Sequence, residues 1–470
     1  MTKKEQSEVN AMPQAKRPNV YNDMMKFVLT FVLGLVLFTA SAQTKFEGEI
    51  IHAGTQQFLL CEHFGDNVRV VDTIYADEDN RFLYHMDTAK PKGLYRLYLN
   101  DNEWLEFILG CENVKFRTIA DAPVETLEIL ESGQNKKLYR FYQMLDENQS
   151  KKIALQDFVR DYPETDRLIS LSEKALIDIY KEEQGLIDEL EEKMPEAFVT
   201  RYLRFLYENP REAYLNDSRE INIKTVAEKN WEDSLLLNSD AYARKLIDYL
   251  SLYSKPDAGK VRQSQALKQA IDSIFAFIPA KNPVYDYAMI YLMEGFEQYE
   301  MENLIMYLVN NYADNCNKTQ GKLENRLSFY SEYHNGAEVP DFITTDTDGE
   351  PVQFYEHVHD KTLLVFWATW CGHCKQMNQA LKEIYPRLSE KNIDVISFSL
   401  DTNASALKSY LKNAGLPWPV WSDFQGWDSE LAETFHLYAT PTMLLIDEDK
   451  TIIGKPLNMN QLVYMINDIQ

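Results

Sequence analysis

Leu363-Leu364-Val365-Phe366-Trp367 is an unbroken apolar run that ends four residues before Cys371-Gly372-His373-Cys374. A strand buried on both faces needs a run of this kind. Beyond the cysteines, Met377, Leu381, Ile384, Tyr385 and Leu388 share one face of a helix, which Pro386 should kink or end. Val395 to Leu400 reads as the next strand. Leu407 to Leu411 reads as a helix stopped by Gly415. Met443 to Asp447 and Thr451 to Gly454 are two more strands, and Gln461 to Ile469 is a closing helix. This alternation places residues 338–470 in an α/β layered fold.

The two cysteines carry the chemistry. The strand delivers Cys371 to the first turn of a helix, where free N–H groups and the positive end of the helix dipole stabilise a thiolate. Cys374 lies within one turn, near enough to resolve a mixed disulfide formed at Cys371. His373, as an imidazolium, would favour the Cys371 thiolate and make the pair more oxidising. Other uses of the spacing fit less well. Structural zinc needs two further ligands, and no second pair follows. Haem attachment needs His directly after the second cysteine, and Lys375 stands there. A peroxidatic cysteine would follow a Pro by seven residues and a Thr or Ser by three; Leu364 and Ala368 occupy those places. No cofactor and no metal are expected.

Trp370-Cys371-Gly372-His373-Cys374-Lys375, with Ala439-Thr440-Pro441-Thr442 further on, resembles the thioredoxin superfamily. The helical insertion between Asp401 and Gly415 resembles its TlpA/ResA branch. The layout of the whole chain is similar to multidomain TlpA-like proteins of Bacteroidota. The resemblance implies a thioredoxin fold over 334–470, with Cys371 and Cys374 as the catalytic pair. It implies that Pro441 is cis and faces the dithiol, and that the Thr440 backbone pairs with an extended client segment. Trp370 and Gly372 would line the same client surface. The Gly-His dipeptide matches protein disulfide isomerases rather than the Gly-Pro of thioredoxin, and those potentials differ by roughly 90 mV, about 4 kcal/mol. In the TlpA/ResA branch the usual direction is reduction, fed by a membrane electron carrier. Two positions depart from the family. Val365 stands where thioredoxin keeps a buried Asp, and Met377 where the ResA type keeps a Glu. Both acids assist proton transfer at the second cysteine.

Residues 43–132 read as a β domain. Phe46–Ile51, Val68–Ile74, Arg81–Tyr84, Tyr95–Leu99 and Trp104–Leu109 are short runs separated by Asn, Asp, Gly and Pro. They predict antiparallel strands closed into a small sandwich or barrel. Residues 133–333 read as a helical domain. Apolar residues from Leu168 to Leu190 recur at helical spacing, with a start at Pro163-Glu164-Thr165 and a break at Pro195. Further helices are expected over Ala266–Phe277 and Pro283–Asn311. The last carries a Tyr and Met stripe, read as core rather than a peptide groove. His334-Asn335-Gly336-Ala337 is the expected linker to 334–470. Trp418, Trp421 and Trp427 are read as packing beneath a strand.

Lys26 is followed by an apolar run from Phe27 to Phe38 and by Ala40-Ser41-Ala42. This is the pattern of a signal peptide, here 1–42 with a long n-region and cleavage near Ala42; the run is short for a membrane span. Export to the periplasm or cell envelope implies an oxidising compartment. Five cysteines cannot all pair. Cys61, within Phe58-Leu59-Leu60-Cys61, is expected buried as a small hydrophobe rather than bridged to Cys111. A formal net charge of -25 argues against nucleic acid and anionic membrane surfaces as partners.

The function expected from these features is a thiol–disulfide oxidoreductase, reductase or isomerase, acting on envelope proteins. Its partners would be protein thiols and disulfides and a redox partner, membrane-bound by the family likeness. The alternative is a non-enzymatic envelope binding protein whose β and helical domains hold a partner while the dithiol is auxiliary. An oligomer, a dimer built through the helical domain, is a further reading.

Overall fold

The computed structural model describes residues 43–162, 167–207, 219–254, 259–299, 301–317 and 321–468. The expected signal segment at 1–42 and the expected helix start at Pro163-Glu164-Thr165 lie outside these residues.

The first region contains β1 (Lys45–Ile51), β2 (Gln57–Phe64), β3 (Asn67–Tyr75), β4 (Arg81–His85), β5 (Gly93–Tyr98), β6 (Trp104–Leu109), β7 (Val114–Ile119) and β8 (Glu128–Glu131). Among the described residues they form two four-stranded sheets, ordered β4-β1-β7-β8 and β3-β2-β5-β6. Side chains alternate along each strand, so one face of each sheet is free to be apolar. Phe46 of β1 packs on Phe107 of β6 with ring centroids 5.0 Å apart. Phe107 in turn packs on Phe116 of β7 at 4.6 Å. The result is a sandwich, as expected, with one correction: β1 pairs with β7 in parallel. Between the two, the chain builds the opposite sheet and lays β4 antiparallel on the other side of β1, and β7 then runs beside β1 in the same direction. Gly48 sits where this core is tightest. A Cβ there would lie 2.4 Å from the Phe82 ring and 2.7 Å from Phe116.

The helical region holds α1 (Gly133–Asp161), α2 (Arg167–Lys193), α3 (Phe198–Leu206), α4 (Arg219–Ala227), α5 (Ala241–Tyr253), α6 (Gly259–Phe277), α7 (Pro283–Gln298), α8 (Glu302–Tyr312) and α9 (Gly321–Glu332). The single helix expected over Pro283–Asn311 is two helices. The Met301 N–H closes back on the Phe296 carbonyl at 2.8 Å, a wider turn than an α-helix makes, and α8 starts afresh. Tyr285, Tyr287, Met289 and Met293 of the stripe are buried.

The last region contains β9 (Ile343–Thr345), β10 (Pro351–Gln353), β11 (Lys361–Trp367), α10 (Gly372–Glu390), β12 (Ile393–Ser399), α11 (Ala404–Ala414), β13 (Val420–Trp421), α12 (Glu430–Thr434), β14 (Thr442–Ile446), β15 (Ile452–Gly454) and α13 (Met459–Asp468). Its main sheet has the order β13-β12-β11-β14-β15. β11 pairs with β12 in parallel and with β14 antiparallel. Gly415 ends α11 in a left-handed conformation, φ 58°, with its N–H on the Leu411 carbonyl. Pro386 does not end α10, which runs on to Glu390. The lost backbone bond is outweighed by what lies beyond it. Leu388 is fully buried, and Arg387 Nη2 donates to Asn467 Oδ1 at 3.0 Å.

The apolar run Leu363–Trp367 has a reason on each face. Leu363, Val365 and Trp367 pack with Cys374, Met377 and Leu381 of α10 and with Leu462 and Ile466 of α13. Leu364, Phe366 and Ala368 face the other way, into a core shared with the helical region. Tyr333, directly after α9, stacks on Phe435 at 5.2 Å, and its hydroxyl donates to the Thr434 carbonyl at 2.7 Å. The stretch expected as a linker is therefore pinned. The Gly336 N–H donates to the Ile452 carbonyl, and the Ile452 N–H to the Ala337 carbonyl, both at 2.8 Å. The sheet bearing the cysteines is built onto the helices rather than tethered to them.

Candidate functional site

β11 ends at Trp367, and four residues later Cys371 caps the N-terminus of α10. Its Sγ lies 3.2 Å from the Cys374 N–H, the donor that an N-cap side chain normally satisfies. Sulfur thus sits at the positive end of the helix, where negative charge is favoured. Cys371 and Cys374 are joined as a disulfide, with Cα atoms 5.3 Å apart. Their surroundings differ. Cys371 is half-buried, while Cys374 is fully buried against Val365 and Trp367. The Thr440 carbonyl oxygen lies 3.5 Å from Cys371 Sγ, and the Thr440–Pro441 bond is cis. Gly372 and His373 are exposed on the first turn of α10. Nothing lies within 4 Å of where a Gly372 Cβ would be, so the helix start is open to an incoming chain. Trp370 is 56% exposed.

The structure therefore gathers Trp370, Cys371, Gly372, His373 and Cys374 on one turn and brings Thr440 against Cys371 from across the sheet. It also supplies groups that the sequence pattern does not mark. Asp401, buried just after β12, accepts from the Thr369 N–H at 2.8 Å and the Ser399 hydroxyl at 2.6 Å, and also from the Thr369 hydroxyl. It fixes the turn that presents Cys371. Trp418 and Trp421 are buried, as expected, and Trp427 departs from that expectation. It is 47% exposed, with its ring centroid 6.3 Å from Trp370. It lies in a short turn outside the sheet, so no strand covers it. Val365 and Met377 are buried apolar neighbours, and no acid replaces them on α10. Asn378 lies one turn beyond Cys374 on the same buried face. It is fully buried, and neither end of its amide bonds to another protein group.

The loop that carries Thr440 is held by the helical region. Glu297 of α7 accepts from the hydroxyls of Tyr438 at 3.1 Å and Tyr330 at 2.7 Å. Arg326 of α9 meets Glu297 in a two-pronged ion pair and reaches Glu294 at 2.9 Å. Its guanidinium lies 5.0 Å from the Tyr438 ring centroid. Burial opposes charge on Arg326, and the Glu297 carboxylate more than restores it, so its pKa is raised. The other thiols are of a different kind. None of Cys61, Cys111 and Cys316 is joined in a disulfide, so no Cys61–Cys111 bridge forms. Burial pushes the thiol pKa of Cys61 and of Cys111 up, which keeps them protonated and unreactive. Among the described residues no group of three His, Cys, Asp or Glu side chains could hold a metal ion. No helix among them is long and apolar enough to cross a membrane.

Comparison with known proteins is consistent with this geometry. Residues 335–455 match the AhpC/TSA family model. A thiol-disulfide oxidoreductase ResA from Bacillus thuringiensis is 32% identical over 118 residues, which is 25% of this chain and 66% of the relative. One from Bacillus cereus is 31% identical over 120 residues, 26% of this chain and 68% of the relative. Among solved structures, a thiol-disulfide oxidoreductase from Bacteroides fragilis is 25% identical, covering 28% of this chain and 99% of that one, with a TM-score of 0.27. A thioredoxin-like protein from Bacteroides caccae is 17% identical, covering 55% of this chain and 96% of that one, with a TM-score of 0.38. The family match begins at residue 335, so the sandwich and the helical region lie outside it. Through its last quarter, which carries the Cys371–Cys374 pair on a thioredoxin fold, the chain belongs to the ResA-like family of thiol-disulfide oxidoreductases.

Proposed function

We propose that this chain is a thiol–disulfide oxidoreductase of the cell envelope that acts on cysteines of other proteins, as a reductase or isomerase. The observation that carries this reading is the contrast within one disulfide: Cys371 is accessible and caps a helix, and Cys374 is sealed beneath it. From the reduced pair, the Cys371 thiolate attacks a client disulfide. One Cys371–client S–S bond forms, the client bond breaks, and the departing client thiolate takes a proton. Cys374, as thiolate, then attacks Cys371 Sγ, which restores the internal disulfide and releases the second client thiol. Two electrons pass from the pair to the client, and a thiol-bearing redox partner returns them. In this reading Thr440 aligns an extended client segment, Trp370 and Gly372 border it, and His373 favours the Cys371 thiolate. Residues 334–470 form the redox domain, 43–132 and 133–333 its β and helical partners, and 1–42 directs export.

Cys374→Ala removes the resolving thiol and leaves Cys371 in place. Incubated with envelope extract, it should accumulate client proteins joined through Cys371 and released by dithiothreitol. Recovery of no covalent adducts would sink protein cysteines as the substrate. A second expectation concerns Asn378. A buried amide without protein partners costs about 1–3 kcal/mol, and this one lies beside Cys374, where the family's acids are missing. We place it in the relay that takes the Cys374 proton. Asn378→Leu should raise stability while slowing release from the mixed disulfide about tenfold, equivalent to roughly 1.4 kcal/mol of barrier. Quenched-flow measurement of the two steps separates them. A resolution rate equal to that of the unaltered protein would remove Asn378 from the relay.

A further inference from the structure

We propose that the client segment runs from Cys371 across Trp370 and Trp427 into the cleft between α9 and residues 427–437, and that this cleft selects clients with Lys or Arg beside the target cysteine. The inference rests on the oxidoreductase reading and names its substrate class.

The path is continuous. Trp370 directly precedes Cys371, and Trp427 stands beside it, so two exposed indoles extend the reactive sulfur's surface outward. Exposed tryptophans with one wet edge and one apolar face are typical of polypeptide contact surfaces. Trp427 is also a wall of the cleft, which encloses about 580 Å³ and has Glu324 and Asn325 of α9 opposite. That volume is in the range of sites that hold a small ligand or a few side chains. The cleft floor is continuous with the site too. Asn325 Nδ2 donates to the Leu437 carbonyl at 3.3 Å, and the chain proceeds from there to Thr440.

Charge decides the occupant. Glu324, Asp428 and Glu433 line the cleft and are exposed. No ion pair to any of them is found among the described residues, whereas the basic group on the wall, His436, already faces Glu332 at 3.1 Å. An aromatic rim with unneutralised carboxylates is complementary to an extended segment carrying ammonium or guanidinium groups. The helical region thereby gains a part in client choice, because one wall of the cleft is α9.

The test uses the whole reduced protein and two synthetic peptides of equal length. Each holds one cysteine as a mixed disulfide with a thionitrobenzoate reporter, flanked by Lys in one and by Glu in the other. The Lys peptide should react about tenfold faster at low salt, and the advantage should shrink toward unity in 0.5 M salt, where screening is short-ranged. In the Glu324→Gln/Glu433→Gln variant the Lys-to-Glu ratio should fall to about twofold or less. Equal rates for the two peptides, or a ratio that survives both salt and the double substitution, would overturn the inference. Wild-type turnover of neutral hydroxyethyl disulfide separates the two levels. Turnover without peptide discrimination refutes the cleft alone, and no turnover refutes the oxidoreductase reading and the cleft with it.

Discussion

Cys371→Ser lowers the rate of insulin disulfide reduction by at least about a thousandfold, or about 4 kcal/mol of barrier. Serine keeps the N-cap, because its hydroxyl accepts from the Cys374 N–H as readily as sulfur does. What it removes is the thiolate, the species that attacks disulfides. The substitution therefore separates structure from chemistry, with the fold kept and the reaction lost. Cys374→Ser should differ, capturing insulin chains in a single round and then stalling. Unchanged activity of Cys371→Ser would refute the assigned nucleophile. Activity retained at a few per cent would point to Cys374 reaching solvent, which its full burial opposes.

Arg326→Ala destabilises the protein by about 3–5 kcal/mol, the cost of leaving a buried carboxylate without its partner. Arg326 is 8% exposed at its side chain and Glu297 14%. Removal of the guanidinium strands Glu297 against the hydroxyls of Tyr330 and Tyr438 alone. The damage should reach the redox site, because Tyr438 lies two residues before Thr440, whose carbonyl meets Cys371. Arg326→Met paired with Glu297→Leu should recover most of the loss, since an apolar pair carries no desolvation penalty. Denaturant unfolding followed by tryptophan emission measures both variants. A loss below about 1 kcal/mol for Arg326→Ala would mean that solvent screens the network as it screens surface pairs.

The redox region was legible in the sequence because its signals are local. A strand covered on both faces must be apolar throughout, and Leu363 to Trp367 is. Cys371 and Cys374 are one helical turn apart, so their partnership needs no knowledge of the rest of the chain. Gly415 stops α11 by a property of its own backbone. The features that escaped depend on distant contacts. β2 was not read as a strand because a register shift between Leu60 and Cys61 breaks its alternation. The parallel pairing of β1 with β7 joins segments nearly seventy residues apart, and nothing in either segment encodes its partner's direction. β7 itself, Val114-Lys115-Phe116-Arg117-Thr118-Ile119, does alternate and could have been found. Asp401 carries no motif; only the fold shows that its carboxylate holds Thr369. Trp427 looks like Trp418 and Trp421 in sequence, and its exposure follows from lying just past the sheet edge. The pinned segment around Gly336 looked like a linker because Asn and Gly suit turns, whether the turn is free or bound to β15.

Cys371–Cys374 should behave as a working redox couple and not as a structural staple. Equilibration of the full chain against graded ratios of reduced and oxidised glutathione tests it directly. The pair should show one two-electron transition between roughly -270 and -180 mV, the span from thioredoxin to protein disulfide isomerase, with His373 favouring the upper part. A pair that stays oxidised below about -300 mV would behave as structural disulfides do, and would contradict the account.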